Sequence, residues 1–195
     1  MPKAGGGRVG YNKRMSLTVA VDIGGTHIRV AVYEPESVQP FAHQRTRSLA
    51  QEPGVYDRLE QAVESVWPKE KVKAIGIASP GPLDPHTGVI LATPNIPEWK
   101  NFPVAPKLAE HFGVPVHLDN DANMAGLAEW QFGAGKGHQD LVYLTISTGI
   151  GGGVITNGCL LQGFHGMGAE LGHVIVDPDG PLCGCGHRGH VESFC

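Results

Sequence analysis

Two short apolar runs, each closing on a glycine-rich bend, limit what this chain can fold into more than any other feature. Residues 17–23 (LTVAVDI) end in Gly24-Gly25-Thr26, and residues 140–147 (DLVYLTIS) end in Thr148-Gly149-Ile150-Gly151-Gly152-Gly153. A short β-branched run reads as a buried strand, and the alternating segment 27–33 reads as the returning strand of a hairpin. The second run is built alike. Its bend, 148–153, returns through 153–156, and Asn157-Gly158 is a strong hairpin turn into 159–162. A hairpin unit that occurs twice predicts an α/β fold in two lobes.

Between the hairpins the pattern alternates. Residues 41–47 predict a third strand. Residues 53–67 carry Val55, Leu59, Val63 and Val66 at helical spacing, with Pro53 before them and Pro68 after. Strands are expected at 73–78 and 114–118, helices at 104–112 and 122–132, and a rigid loop at Ser79-Pro80-Gly81-Pro82. The expected organisation is a disordered tail over 1–16, a small lobe over 17–118 and the first part of a larger lobe over 119–195.

Composition excludes several classes. The chain has 195 residues, 41% hydrophobic and 17% charged, enough apolar content to bury a core. A formal net charge of -4 does not advertise a nucleic-acid or membrane partner. The apolar runs fall short of the roughly 20 residues a spanning helix needs. The N-terminus lacks the apolar stretch of a secretory signal, so the expected location is cytoplasmic.

The first bend offers backbone N–H groups and the Thr26 hydroxyl to an oxyanion. Asp22 at the strand end is suited to holding the waters of Mg²⁺ beside it. Thr148 and Gly149 repeat this chemistry, so the two bends could grip one polyphosphate. Neither is a P-loop: Gly133-Ala-Gly135-Lys136-Gly137 lacks the following Ser/Thr. The dinucleotide pattern fails because Val154 takes the last glycine position.

Asp119-Asn120-Asp121 opens the helix at 122–132. Asp121, at that N-terminus, is placed to accept a proton. Asn120 carries both a donor and an acceptor, which suits a sugar hydroxyl. Near the end of the chain, Glu170-Leu-Gly-His173 precedes Cys183-Gly-Cys185-Gly-His187-Arg-Gly-His190. Two thiolates one residue apart, with imidazoles nearby, can complete a tetrahedral zinc shell. Asp177-Pro-Asp179-Gly180 is not a calcium loop, because Arg188 occupies the twelfth position.

These pieces, in this order, resemble the ROK family (repressor, open reading frame, kinase) from about residue 17 to residue 192. The resemblance implies a two-lobed actin-like, ribonuclease H-like ATPase fold and a glucokinase-like enzyme that uses ATP, Mg²⁺ and structural Zn²⁺. It implies that Asp22, Gly24, Gly25, Thr26, Thr148 and Gly149 bind phosphates. Gly81, Asn95, Asn120, Glu170, His173 and Glu192 would contact the sugar, and Asp121 would be both a sugar contact and the catalytic base. Zinc would be held by His173, Cys183, Cys185 and His190, although the family has a third cysteine where this chain has His190. Glucose is the expected hexose, with N-acetylmannosamine, fructose and mannose as alternatives, and the family often forms homodimers. Family members continue beyond residue 195, so this stretch alone is expected to lack much of the adenosine pocket. Two other functions compete. A sugar-sensing ROK regulator would need a helix-turn-helix, for which residues 1–16 are too short and glycine-rich. A zinc hydrolase would need an open coordination site and a general base.

Overall fold

A computed structural model describes residues 16–93, 95–147 and 149–195. The tail expected over 1–16 lies outside them except for Ser16, and Thr148 lies outside them as well. Five strands form the first sheet: β1 (Leu17–Ile23), β2 (His27–Tyr33), β3 (Pro40–Arg47), β4 (Val72–Ser79) and, eighth in chain order, β8 (Val116–Asn120). Their spatial order is β3-β2-β1-β4-β8, with β1 antiparallel to β2 and parallel to β4.

Side chains alternate across a strand. Leu17, Val19, Val21 and Ile23 therefore face one side, together with Ile28, Val30 and Val32 of β2 and Ile75 and Ile77 of β4. Helices α1 (Val55–Val66) and α2 (Val104–Phe112) cover that side with Val55, Leu59, Val63, Val104 and Leu108, all fully buried. The opposite side carries smaller and charged residues, among them Ala20, Asp22, Arg29 and Ala31.

A second, smaller sheet is absent from the sequence expectations. It comprises β5 (Leu83–Asp84), β6 (Val89–Ala92) and β7 (Lys100–Phe102), in the order β5-β6-β7. Strands of two to four residues carry no readable period. Burial of Leu83, Ile90 and Trp99 holds this sheet, with Trp99 stacked on Phe102 at 4.8 Å between ring centroids.

The second lobe has β9 (Leu141–Ile146), β10 (Ile150–Thr156) and β11 (Cys159–Leu160) in the order β11-β10-β9. Helix α3 (Asp121–Phe132) packs on one face of it. The bend expected over 148–153 is corrected here, because Gly151, Gly152 and Gly153 lie inside β10. These glycines are needed for close packing: Gly153 abuts Gly126 of α3, and a Cβ on Gly151 would come within 3.0 Å of the Ala122 Cβ. Strand β8 runs to Asn120 and α3 starts at Asp121, so the expected lobe division after residue 118 falls inside β8. Beyond β11 the chain forms irregular loops and two short 3₁₀ turns, Leu171–His173 and Val191–Phe194.

Candidate active site and metal centre

A cleft of about 560 Å³ lies where the two lobes meet. Asn95, Asn120, Asp121, Gly149, Glu170, His173 and Glu192, all expected site residues, line it together. Gly81 lines an adjoining cavity of about 370 Å³ that shares Asn120, Glu170 and His173 with the cleft. Gly25 reaches the cleft indirectly: its missing side chain lets Asn95 approach, and a Cβ there would sit 3.2 Å from the Asn95 Cβ. Asp22, Gly24 and Thr26 stand at the end of β1 and in the bend after it, outside the cleft lining.

The N-terminus of α3 arranges the central pair. Asn120 is its N-cap, with Oδ1 accepting from the N–H groups of Ala122 at 2.9 Å and Asn123 at 3.3 Å. That bond consumes the acceptor, so of the two functions expected of Asn120 only the Nδ2 donor is left. Nδ2 lies on the Gly81 side, 3.7 Å from where a Gly81 Cβ would be. Asp121 occupies the first helical position and Ala122 N–H donates to its Oδ1 at 2.9 Å.

Behind this pair is a network that the sequence did not reveal. Asp119 is only 7% exposed, and its carboxylate accepts from three donors. These are its neighbour's amide, Asn120 N–H, at 2.7 Å, Asn123 Nδ2 at 3.0 Å, and Gln162 Nε2. The Gln162 carbonyl accepts in turn from Gly168 N–H at 2.7 Å, closing the base of the loop that leads to Glu170. A single buried carboxylate thus ties the Asn120–Asp121 cap to the loop carrying Glu170. Asp119 had a local signal, its place beside the cap, but Gln162 had none.

The cysteine-histidine knot borders the same cleft. One ligand atom from each of His173, Cys183, Cys185 and His190 lies within 4.8 Å of every other. Separations include 3.1 Å between the two Nδ1 atoms, 3.3 Å from Cys185 Sγ to His190 Nδ1 and 3.9 Å from Cys183 Sγ to His173 Nδ1. A tetrahedral zinc with bonds of about 2.0–2.3 Å separates its ligand atoms by roughly 3.3–3.8 Å, so the four donors fit that ion. His187 stands outside the group, 3.7 Å from Cys185 Sγ. Its backbone N–H, and then its ring, hold the Cys185 thiol down to about 6.

His173 faces two ways: Nδ1 points into the knot, and Nε2 lies 4.0 Å from Glu170 Oε2. Glu192 also joins two features. Cys183 Sγ donates to its Oε1 at 2.9 Å, and Ile150 N–H donates to its Oε2 at 3.4 Å. The Cys183 thiol first, then the Ile150 amide against the opposing effect of burial, hold the Glu192 carboxyl below the usual carboxylate range. This carboxylate therefore links the cysteine-histidine knot to the start of β10.

The ROK family model matches residues 18–195. The chain belongs to the ROK family. Among curated relatives, the glucokinase of Thermotoga maritima is 43% identical over 178 residues, covering 90% of this chain and 56% of that protein. Among solved structures, the ROK hexokinase from Thermus thermophilus superposes with a TM-score of 0.80 at 41% identity, covering 92% of this chain and 60% of that one. A ROK family glucokinase from Streptomyces griseus in complex with glucose and AMPPNP superposes at 0.78 with 38% identity, covering 92% and 57%. The fold is the actin-like ATPase fold of these ROK kinases, and the chain spans little more than half the length of the relatives it matches. Among the described residues, no helix is long and apolar enough to cross a membrane.

Proposed function

We propose that the full-length protein transfers the γ-phosphoryl group of ATP to a hexose hydroxyl, O6 of glucose first among the candidates. The observation that carries this reading is the convergence, in one cleft, of the Asp121 carboxylate with Asn120, Glu170, His173 and Glu192, beside the Gly149 bend. Kinase relatives and the glucose-bound structure support it, whereas xylose repressors are also relatives.

Asp121 accepts the hydroxyl proton as the sugar oxygen attacks the γ-phosphorus. The bond to the β,γ-bridging oxygen breaks, leaving ADP. The Asn120 Nδ2 donor, the Glu170 carboxylate and the cleft-facing side of His173 orient the ring, and Asn95 closes the cleft opposite them. Positioning and electrostatics supply most of the acceleration in such transfers. Gly24 N–H is held within its own turn by His27 O at 2.9 Å, so the phosphate donors of the first bend are the Gly25 and Thr26 N–H groups, joined by Gly149 N–H from the second hairpin. Arg29 engages Asp22 Oδ2 at 2.5 Å, which leaves Oδ1 for a water of Mg²⁺, the ion that would neutralise phosphate charge. Zinc held by His173, Cys183, Cys185 and His190 would be structural, with all four positions filled by protein.

The test is Asp121→Asn in the full-length protein, read as glucose-dependent ADP release. The substitution keeps shape and removes the proton acceptor, so a loss of roughly 10²–10⁴-fold is expected. Activity retained within about tenfold would show that Asp121 is not the base. A screen across glucose, N-acetylmannosamine, fructose and mannose decides the sugar.

A further inference from the structure

The loop between β3 and α1, residues 48–54, is bonded to segments on both sides of the candidate site, and one side chain shapes it. Arg58, in the first turn of α1, turns its guanidinium back over this loop. Nε donates to Ser48 O at 2.8 Å, Nη1 to Pro53 O at 2.8 Å, and Nη2 to Leu49 O and Glu52 O at 3.1 Å each. Four main-chain carbonyls thus share one planar fork. An ammonium does not reproduce this, because its donors radiate from a single point.

The loop takes a conformation that its own sequence resists. Leu49 has a φ of 46°, in the left-handed region that a Cβ disfavours. Its carbonyl accepts from Glu52 N–H at 2.8 Å as well as from Arg58. A strained backbone persists only where its surroundings hold it, and the guanidinium is one of those holds. Three links lead outward from the loop. Ser48 N–H donates to Thr26 O at 3.0 Å, in the glycine bend. Gln51 Nε2 donates to Asn95 O at 3.5 Å. Glu98, three residues beyond Asn95, accepts from Gly54 N–H at 3.2 Å and Val55 N–H at 2.9 Å. Gly54 has no side chain to cap α1, so this distant carboxylate takes the cap's place.

We propose that Arg58 is a positioning residue: by fixing the 48–54 loop it sets how the Gly25–Thr26 bend stands relative to Asn95, and so aligns phosphate with sugar. The inference rests on the kinase reading of those two segments. Arg58 is not among the residues lining the cleft. It acts on the bend through Ser48, and on Asn95 through Gln51 and Glu98.

The experiment compares the full-length protein with its Arg58→Lys variant, which keeps the charge and loses the fork. Glucose and ATP are each varied in steady-state kinetics, and thermal melting checks folding. Both KM values are expected to rise roughly five- to tenfold, the factor that one or two lost hydrogen bonds supply. Partial unfolding would instead lower kcat per chain and leave both KM values unchanged. Arg58→Lys/Leu49→Gly should return both to within about threefold of the starting protein, because glycine takes the left-handed conformation without help. A folded Arg58→Lys variant with both KM values unchanged, or a rise that Leu49→Gly does not relieve, overturns the inference. Should Arg58→Lys fail to fold, Gln51→Ala/Glu98→Gln cuts the two links to Asn95 and spares Ser48. It should raise the glucose KM and leave the ATP KM unchanged, and an unchanged glucose KM overturns the inference. Titration calorimetry with glucose and with a non-hydrolysable ATP analogue separates this inference from the reading beneath it. Both ligands bound without any ATP consumption defeats the kinase reading alone, whereas dissociation constants unshifted in Arg58→Lys defeat this inference alone.

Discussion

At the scale of the residue, Asp119 matters because all of its partners are donors: an amide N–H and the amide groups of Asn123 and Gln162. Only an acceptor fits there. Asp119→Asn sets one amide NH₂ against these donors and leaves a buried group unsatisfied, at a cost of about 1–3 kcal/mol. In the full-length protein the variant should raise the sugar KM more than it lowers kcat, with the ATP KM unchanged, because Asp119 positions the loop to Glu170 and touches no substrate. Adding Gln162→Glu reverses the carboxylate–amide pair and should restore much of the sugar affinity. Steady-state kinetics on the single and double variants check this, and equal damage to both KM values would point to general unfolding. Sequence reading reached Asn120 and Asp121 because a cap has a local signature. It passed over Gln162, whose partner is 43 positions away.

At the scale of the element, the glycines of β10 decide how close α3 lies to the second sheet. Gly126 and Gly153 meet with no side chain between them, and a Cβ on Gly126 would already be 3.2 Å from the Tyr143 Cβ. Gly126→Leu should push α3 off the sheet, costing about 1–3 kcal/mol, as overpacking does in a fitted interior. Because α3 carries Asn120 and Asp121 at its start, the same variant should weaken sugar binding. Chemical denaturation and sugar titration together test this, and unchanged stability of the Gly126→Leu variant would show that the close approach is not needed. Glycine runs read from sequence suggest a bend, since glycine favours turns. Here two antiparallel strands and a helix use them as strand positions, a choice that depends on what packs above.

At the scale of the whole molecule, the cysteine-histidine knot connects the lobe's outer loops to the cleft through His173 and Glu192. Zinc at 100 times its Kd would stabilise the folded chain by about 2.7 kcal/mol, a rise of roughly 5–11 °C in Tm for a chain of this size. Chelation should remove that increment. His190→Ala should lower zinc content to well below one ion per chain, whereas His190→Cys should preserve it, because sulfur and nitrogen are both zinc ligands. Elemental analysis with thermal melting measures both, and zinc retained in His190→Ala would assign the fourth position to another residue such as His187.

The sequence by itself determined what depends on neighbours along the chain. Short apolar runs set β1 and β4, alternation set β2, helical spacing set α1, and a capping Asn with its following carboxylate set the start of α3. Tertiary structure alone decided what depends on partners far apart in the chain. It gathered His27, Arg29, His43, Arg45 and Arg47 on one side of β2 and β3, joined Asp119 to Gln162, turned Glu192 between Cys183 and Ile150, and held the short strands β5 to β7 by burial of Trp99. The physical reason is range: backbone propensity and capping act within a turn or two, whereas burial and charge act between whatever the fold brings together.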